Sequence, residues 1–273
     1  MREVVVRLPR AAVEDVLDRL LLIAPSGVHE SPAGRHVDLK LRGDDLPTPE
    51  DLKRAIGRWP HRVSEHEVSD DWRERRAADY VPDLIAGRLV VRPTWAPPST
   101  AEIEIALGES SAFGGGAHPT TRTCLELLLG LPTAGGFADL GCGSGVLAVL
   151  AARLGWEPVV AIDVEPASVR STLANSQHNA VTVEARVADL SVEAPPTTDA
   201  FAANVPATLH RALAANFPEP VPRIGILSGF APSESEEVSE AYSRRGLAER
   251  TRIDVHGWTV LYLTGRDRVA PGR

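Results

Sequence analysis

The sequence predicts an α/β chain in which a mostly parallel, doubly wound sheet with an antiparallel edge hairpin fills residues 99–268. A small α+β domain precedes it in residues 1–69, and residues 70–98 read as a connecting segment. Three observations lead there. Beyond Pro98, β-branched runs alternate with helix-spaced segments, the pattern of strands covered by helices on both faces. The last two apolar runs, LAERTRIDV and WTVLYLTGR, have no helix between them and therefore pair as a hairpin at the edge. The first 69 residues read strand, helix, strand, strand, helix, strand, which is the ferredoxin-like order.

In chain order, VVVRLP is apolar and β-branched, and Val13, Val16, Leu17, Leu20 and Leu21 then recur at helical spacing. Val37, Leu39 and Leu41 alternate with polar neighbours, and Pro32, Ala33 and Gly34 before them are turn residues, so a hairpin is expected. Thr48, Pro49 and Glu50 open a helix as an N-cap followed by proline, and RVSEHEVS supplies the fourth strand. From Asp70 to Pro98 charges, prolines, Trp72 and Trp95 flank one short strand at 88–92; both tryptophans read as packing residues. Ala101 to Leu107 alternates as a strand. FGGGAHPTT (113–121) is a turn entering a helix near Pro119, where the hydroxyls of Thr120 and Thr121 suit free N–H groups of the first turn. Three successive glycines cost roughly 0.5–1 kcal/mol each in chain entropy, so this loop is expected to flex or to lie close against a ligand.

The centre of the chain is FADLGCGSGVLAVLAARLGWEPVVAIDVEP, Phe137 to Pro166. A strand runs into Gly141, Gly143 and Gly145, a helix follows, and a second strand ends at Asp163. Glycines let the loop backbone approach a ligand, the helix N-terminus offers N–H groups, and an acid at the second strand's end accepts both hydroxyls of a ribose. The dinucleotide pattern requires a third glycine where this chain has Val146. The spacing is instead G-x-G-x-G after Asp139, the form of S-adenosylmethionine methyltransferases, which disfavours a nicotinamide oxidoreductase. Downstream, VTVEARVADL reads as a strand ending at Asp189 and TTDAFAANVPA as one ending at Asn204.

A formal charge of −8, from 29 basic and 37 acidic residues, argues against broad attachment to nucleic acid or an anionic membrane, although arginines crowd the first third. Cys124 and Cys142 are not spaced as metal ligands and read as reduced thiols. No run reaches the roughly 18 apolar residues of a membrane span, and the start lacks a signal-peptide pattern, so a cytoplasmic protein is expected.

FGGGAHPTT, DLGCGSGVLA (139–148), AIDVEP (161–166), AANVPA (202–207) and WTVLYLTGR (258–266) together resemble the ribosomal protein L-eleven methyltransferase family (PrmA family). DDW (70–72) and RPTW (92–95) echo it more weakly. The resemblance implies a Rossmann-like domain that uses S-adenosylmethionine to methylate amino groups of a large-subunit ribosomal protein. Those groups are lysine side chains, the N-terminal α-amine, or both, and the small N-terminal domain recognises the substrate. It places cofactor contacts at Thr121, Gly141, Asp163 and Asn204, with Gly143 and Gly145 completing the loop. Asn204 is also the residue expected to orient the amine. The chain departs from the family pattern at Gly115, Ala117 and Pro206, and its N-terminal part is short. Those departures leave two alternatives: a methyltransferase of the same fold acting on another protein or a small amine, and a cofactor-binding module without turnover. His118, Glu104 and Asp189 are weaker candidates, read respectively as a helix cap and two surface acids.

Overall fold

The computed structural model describes residues 2–21, 23–24, 28–43, 46–67, 80–108 and 118–265. They fall into two compact units, one drawn from 2–81 and 95–97, the other from 82–94, 98–108 and 118–265.

The first unit has the order β1 (Arg2–Pro9), α1 (Val13–Leu21), β2 (Val28–Ala33), β3 (His36–Gly43), α2 (Pro49–Ile56), β4 (Arg62–Glu67). Its sheet runs β2-β3-β1-β4, every neighbouring pair antiparallel. Alternation places Val4, Val6 and Leu8 of β1 and Val37, Leu39 and Leu41 of β3 in one core with Val16, Leu20, Leu52 and Ile56 of the helices. Arg7 and Asp38 pair on the opposite face through two hydrogen bonds of 2.6 and 2.7 Å. Thr48 caps α2 in a reciprocal box with Asp51, as the Thr-Pro-Glu-Asp run predicts.

The second unit begins with β5 (Leu84–Ile85), β6 (Leu89–Pro93) and β7 (Ile103–Leu107), which form a separate three-stranded sheet with β6 and β7 parallel. Two strands within the 70–98 segment therefore lie in this unit. Then come α3 (Pro119–Leu129), β8 (Phe137–Leu140), α4 (Val146–Arg153), β9 (Val159–Asp163), α5 (Pro166–His178) and β10 (Glu184–Val187). The remainder is β11 (Ala200–Asn204), α6 (Ala207–Asn216), β12 (Ile224–Phe230), α7 (Ser235–Ser243), β13 (Leu247–Val255) and β14 (Trp258–Gly265). The large sheet has the order β10-β9-β8-β11-β12-β14-β13. Its first five strands are parallel, and β14 is antiparallel to both β12 and β13, giving the expected edge hairpin.

Period-two alternation divides the strand side chains between two cores. Phe137, Ala200 and Ala202 pack on the side of α3 and α4 with Leu125, Leu128, Val149 and Leu150. Ala138, Leu140, Phe201 and Ala203 pack on the other side with Leu213, Val238 and Tyr242. The expected strand to Asp189 ends sooner, at Val187. Asp189 instead closes a turn, its Oδ1 accepting from the Ser191 backbone N–H at 2.9 Å and the Ser191 hydroxyl at 2.6 Å. Among the described residues no helix is long and apolar enough to cross a membrane.

Candidate active site at the strand ends

β8 is the first strand of the large sheet, and the chain proceeds from it to β9 and β10 on one side and to β11 and β12 on the other. Such a reversal opens a crevice beyond the carboxyl ends of the strands. The register aligns those ends: Leu140 lies beside both Ile162 and Ala203. The next residues, Gly141, Asp163 and Asn204, consequently leave three adjacent strands at one level.

Gly141 and Cys142 both donate backbone N–H bonds to the carbonyl of Ile162, at 2.8 and 3.0 Å, and the Gly145 N–H closes the loop on the Cys142 carbonyl at 2.7 Å. Two of the glycines also have a packing reason. A Cβ on Gly141 would stand 2.3 Å from the Val205 side chain, one on Gly145 2.6 Å from Thr172, and both residues have positive φ. Asp163 accepts from the Gly143 N–H on Oδ2 and the Glu165 N–H on Oδ1, each at 2.9 Å. A carboxylate oxygen has two acceptor directions, so each oxygen keeps one for a neighbouring pair of hydroxyls. That pair of acceptors fits the ribose hydroxyls of S-adenosylmethionine, and the N-terminus of α4 stands at the end of the same loop.

Asp139, in β8 two residues before Gly141, is buried and accepts the Ala148 N–H in the first turn of α4 at 3.0 Å. Burial, reinforced by the nearby charge of Asp163 and opposed by that hydrogen bond, pushes its pKa up to about 8. It is thus a largely neutral acid at pH 7 that ties β8 to α4. Burial likewise raises both thiols, Cys124 to about 12, leaving them unreactive.

Sequence reasoning missed the support of the loop. Thr172 donates to the Gly143 carbonyl at 3.2 Å. Asn175 donates to the Ser144 carbonyl and accepts from the Gly108 N–H, both at 2.8 Å. Asn179 exchanges two bonds with the backbone of Ala106, at 2.9 and 2.7 Å. These residues, with Ser168 and Ser176, form a polar stripe at helical spacing that runs along α5 to its C-cap residue Asn179, and all of it is buried. Polar residues at i, i+4, i+7, i+8 and i+11 share one face, but that spacing alone does not tell a buried face from a solvated one.

Asn204 meets α3. Its Nδ2 donates to the Thr120 hydroxyl at 3.1 Å and lies 3.5 Å from that of Thr121. Thr120 in turn meets Nδ1 of His118 at 2.7 Å, and its backbone N–H points at the same nitrogen at 3.4 Å. A backbone N–H only donates, so Nδ1 is an acceptor and the neutral ring carries its proton on Nε2. The donor direction therefore runs Asn204 to Thr120 to His118, leaving Oδ1 of Asn204 to accept from a ligand. His118 is the N-cap of α3, as the sequence reading of it as a helix cap expected, and burial lowers its pKa. Asn204 does not cap the helix after it, because α6 has no side-chain cap.

Other expected participants stand apart. Glu104 is held by Arg92 at 2.7 Å and by the Ser99 N–H, chiefly the Arg92 bond pulling its pKa down to about 2. Trp95 meets Tyr80 edge-on at 5.9 Å within the first unit. Trp72, Gly115 and Ala117 lie outside the described residues, as does the whole glycine run. Among the described residues no group of three or more His, Cys, Asp or Glu stands ready to hold a metal ion. A cavity of about 990 Å³, lined in part by Asp199, Arg223, Arg250 and Tyr262, opens at the opposite ends of the strands and includes none of the residues above. The crevice is the better site because the convergent polar groups are there.

Residues 50–266 match the family described as ribosomal protein L11 methyltransferase (PrmA). A protein of that name from Geobacter metallireducens is 37% identical over 189 residues, covering 67% of this chain and 63% of the relative. One from Laribacter hongkongensis is 37% identical over 198 residues, covering 71% and 66%. The chain thus spans slightly less than two thirds of the length of these relatives. The crystal structure of a ribosomal protein L11 methylase from Lactobacillus delbrueckii subsp. bulgaricus shares the fold, with a TM-score of 0.58 at 21% identity, covering 68% of this chain and 98% of that one. The family match takes in the glycine loop, Asp163, Asn204 and most of the α/β unit, and on that ground the chain belongs to the ribosomal protein L11 methyltransferase family.

Proposed function

We propose that this chain transfers methyl groups from S-adenosylmethionine to amino groups of ribosomal protein L11, on lysine side chains, the N-terminal α-amine, or both. The observation that carries the reading is the level alignment of Gly141, Asp163 and Asn204 at three neighbouring strand ends. Gly141, Gly143 and Gly145 bring backbone to the cofactor, Asp163 takes its ribose hydroxyls, and Thr121 and Asn204 border it on the α3 side. The cofactor supplies an electrophilic methyl group on a sulfonium.

The accepting nitrogen must be neutral and in line with that methyl group. Keeping a lysine-type amine neutral at pH 7 costs roughly 4–5 kcal/mol, an α-amine roughly 1–1.5 kcal/mol. Partial desolvation and the sulfonium charge lower the amine's pKa and so reduce this cost. Oδ1 of Asn204 accepts one amine N–H and thereby aims the lone pair; Thr120 holds the carboxamide in that orientation. His118 is not the base, since its Nδ1 is occupied and its Nε2 protonated. Residues 1–69 are assigned to substrate recognition and 99–268 to cofactor and transfer, with the protein acting in the cytoplasm. Incubation with labelled S-adenosylmethionine and purified ribosomal proteins, followed by mass spectrometry, tests the reading. Label on the L11 amines is expected, and label on other proteins or on none contradicts it.

A further inference from the structure

The cavity at the amino ends of β11 and β12 carries charges that folding does not use. Its volume, about 990 Å³, lies at the upper end of the roughly 300–1,000 Å³ of small-molecule sites, and its lining comes entirely from the second unit. β14 ends there between its two neighbours. Arg223 stands just before β12, and its carbonyl accepts the Gly265 N–H at 2.7 Å. Arg250 lies on β13, and its Nε donates to the Thr264 hydroxyl at 2.6 Å. The two arginines thus flank the last residues of β14, and both are exposed. A bulge sets the second of them: pairing shifts between Glu249, opposite Leu263, and Thr251, opposite Tyr262, so Arg250 is the extra residue. Such a residue makes no ladder pair and its side chain is re-aimed. Glu249 and Arg252 around it bond Ser239 and Ser235 of α7 at 2.6 and 2.9 Å, whereas Arg250 turns to Thr264 and the cavity. The third arginine there, Arg245, is structural: it donates to the carbonyls of Ala215 and Phe217 at the end of α6 and pairs with Glu219 at 3.2 Å. Asp199, the other acid of the lining, accepts the Gly136 N–H at 3.0 Å. Among the described residues no acid pairs with Arg223 or Arg250, and the Tyr262 hydroxyl, also in the lining, has no hydrogen-bond partner.

We infer that this cavity is a second ligand site, which takes a phosphate-bearing small molecule of about nucleotide size, with Arg223 and Arg250 on the phosphate and the Tyr262 hydroxyl as a neutral donor beside them. Guanidinium forks match phosphate oxygens bidentately, and a concave wall strengthens their field although the whole chain carries a net charge of −8. A phosphate group, close to doubly charged at pH 7, gains more from two such cations than a single carboxylate does. The site is separate from the transfer crevice: β11 runs from Ala200 at the cavity to Asn204 at the crevice, roughly 13 Å of strand. The inference does not depend on the methyl-transfer reading.

The test is isothermal titration of the full chain with inorganic pyrophosphate, with ADP and with oligouridine RNA, at fixed ionic strength. Pyrophosphate is expected to bind, and ADP at least as tightly. Arg223→Gln and Arg250→Gln should each weaken both about tenfold, and Tyr262→Phe, which loses only the hydroxyl, about threefold. Arg244→Gln, at an exposed arginine outside the cavity that pairs with Glu240, should stay within about twofold of the wild type, as should the wild type saturated with S-adenosylmethionine. Wild type that binds neither pyrophosphate nor ADP overturns the inference, and so does an affinity within about twofold of the wild type in either cavity-arginine variant. Loss of pyrophosphate binding on saturation with S-adenosylmethionine puts the anion in the crevice and overturns it too. Oligouridine that binds more tightly than ADP and is lost in the same variants makes the cavity an RNA contact and overturns the assignment to a small molecule.

Discussion

Asn175→Ala removes the side chain that joins the glycine loop to the end of β7. Asn175 is 3% exposed, and its amide satisfies two backbone groups, the Ser144 carbonyl and the Gly108 N–H, at 2.8 Å each. Truncation leaves the buried Ser144 carbonyl without this partner, whereas the Gly108 N–H belongs to an exposed residue and can turn to water. At about 1–3 kcal/mol for the buried group left unpaired, the variant should lose about 2 kcal/mol of stability. In a unit of this size that lowers the midpoint of thermal unfolding by roughly 6 °C. Ser144 belongs to the loop proposed to cradle the cofactor, so S-adenosylmethionine should also bind several-fold more weakly to the folded variant. Calorimetric unfolding gives the first quantity and isothermal titration the second. A loss below about 0.5 kcal/mol, or a full loss of stability with cofactor affinity intact, would refute the argument that this helix holds the loop in its binding shape.

Asp163→Ala should weaken S-adenosylmethionine at least tenfold, because it removes charge-assisted bonds worth roughly 1.5–3 kcal/mol and the anchor of the Gly143 N–H; unchanged affinity in titration calorimetry would remove Asp163 from the site. His210 gives a pH test. It is buried, faces the Ser228 carbonyl at 2.9 Å and the Tyr242 hydroxyl at 3.2 Å, and desolvation lowers its pKa from 6.5 to about 4. The unfolded chain therefore binds the proton first, so the neutral imidazole's contribution is complete above pH 6.5 and is lost as pH falls towards 4, in total about 3 kcal/mol. Urea unfolding of wild type should weaken between pH 6.5 and 4.5 more than that of His210→Gln, and parallel curves would refute the assignment.

The parts of this fold that were legible in the sequence are those whose signal is local. Glycines at fixed spacing between two apolar runs place β8, α4 and β9, and two successive strands without a helix place the β13–β14 hairpin. The four-strand order of the first unit follows from periodicity and from the Thr48 cap. Two-residue β5 carries no periodicity, so the small sheet it shares with β6 and β7 escaped notice. In the site, Asp163 and the loop are neighbours in a motif. The bond from Asn204 to Thr120 instead joins residues 84 positions apart, and no local pattern reports it. The α5 stripe failed for a different reason: Ser168, Thr172, Asn175 and Asn179 have the same letters whether they face water or a buried backbone. Only the β7 strand and glycine loop packed against that face distinguish the two. The early end of β10 is a competition of the same kind, in which the Asp189 side chain bonds to Ser191 and turns the chain before the strand would end.

The central claim is that the strand-end alignment puts the cofactor on Asp163 and the accepting amine on Asn204. Single-turnover methyl transfer to ribosomal protein L11 by Asn204→Ala, at saturating S-adenosylmethionine, tests it most directly. Losing the oxygen that aims the amine should slow transfer by roughly 10² or more, equivalent to about 2.7 kcal/mol of transition-state stabilisation, with a smaller loss of cofactor affinity. A rate within threefold of the wild type would contradict the account and leave Asn204 as a residue that only positions α3 against β11.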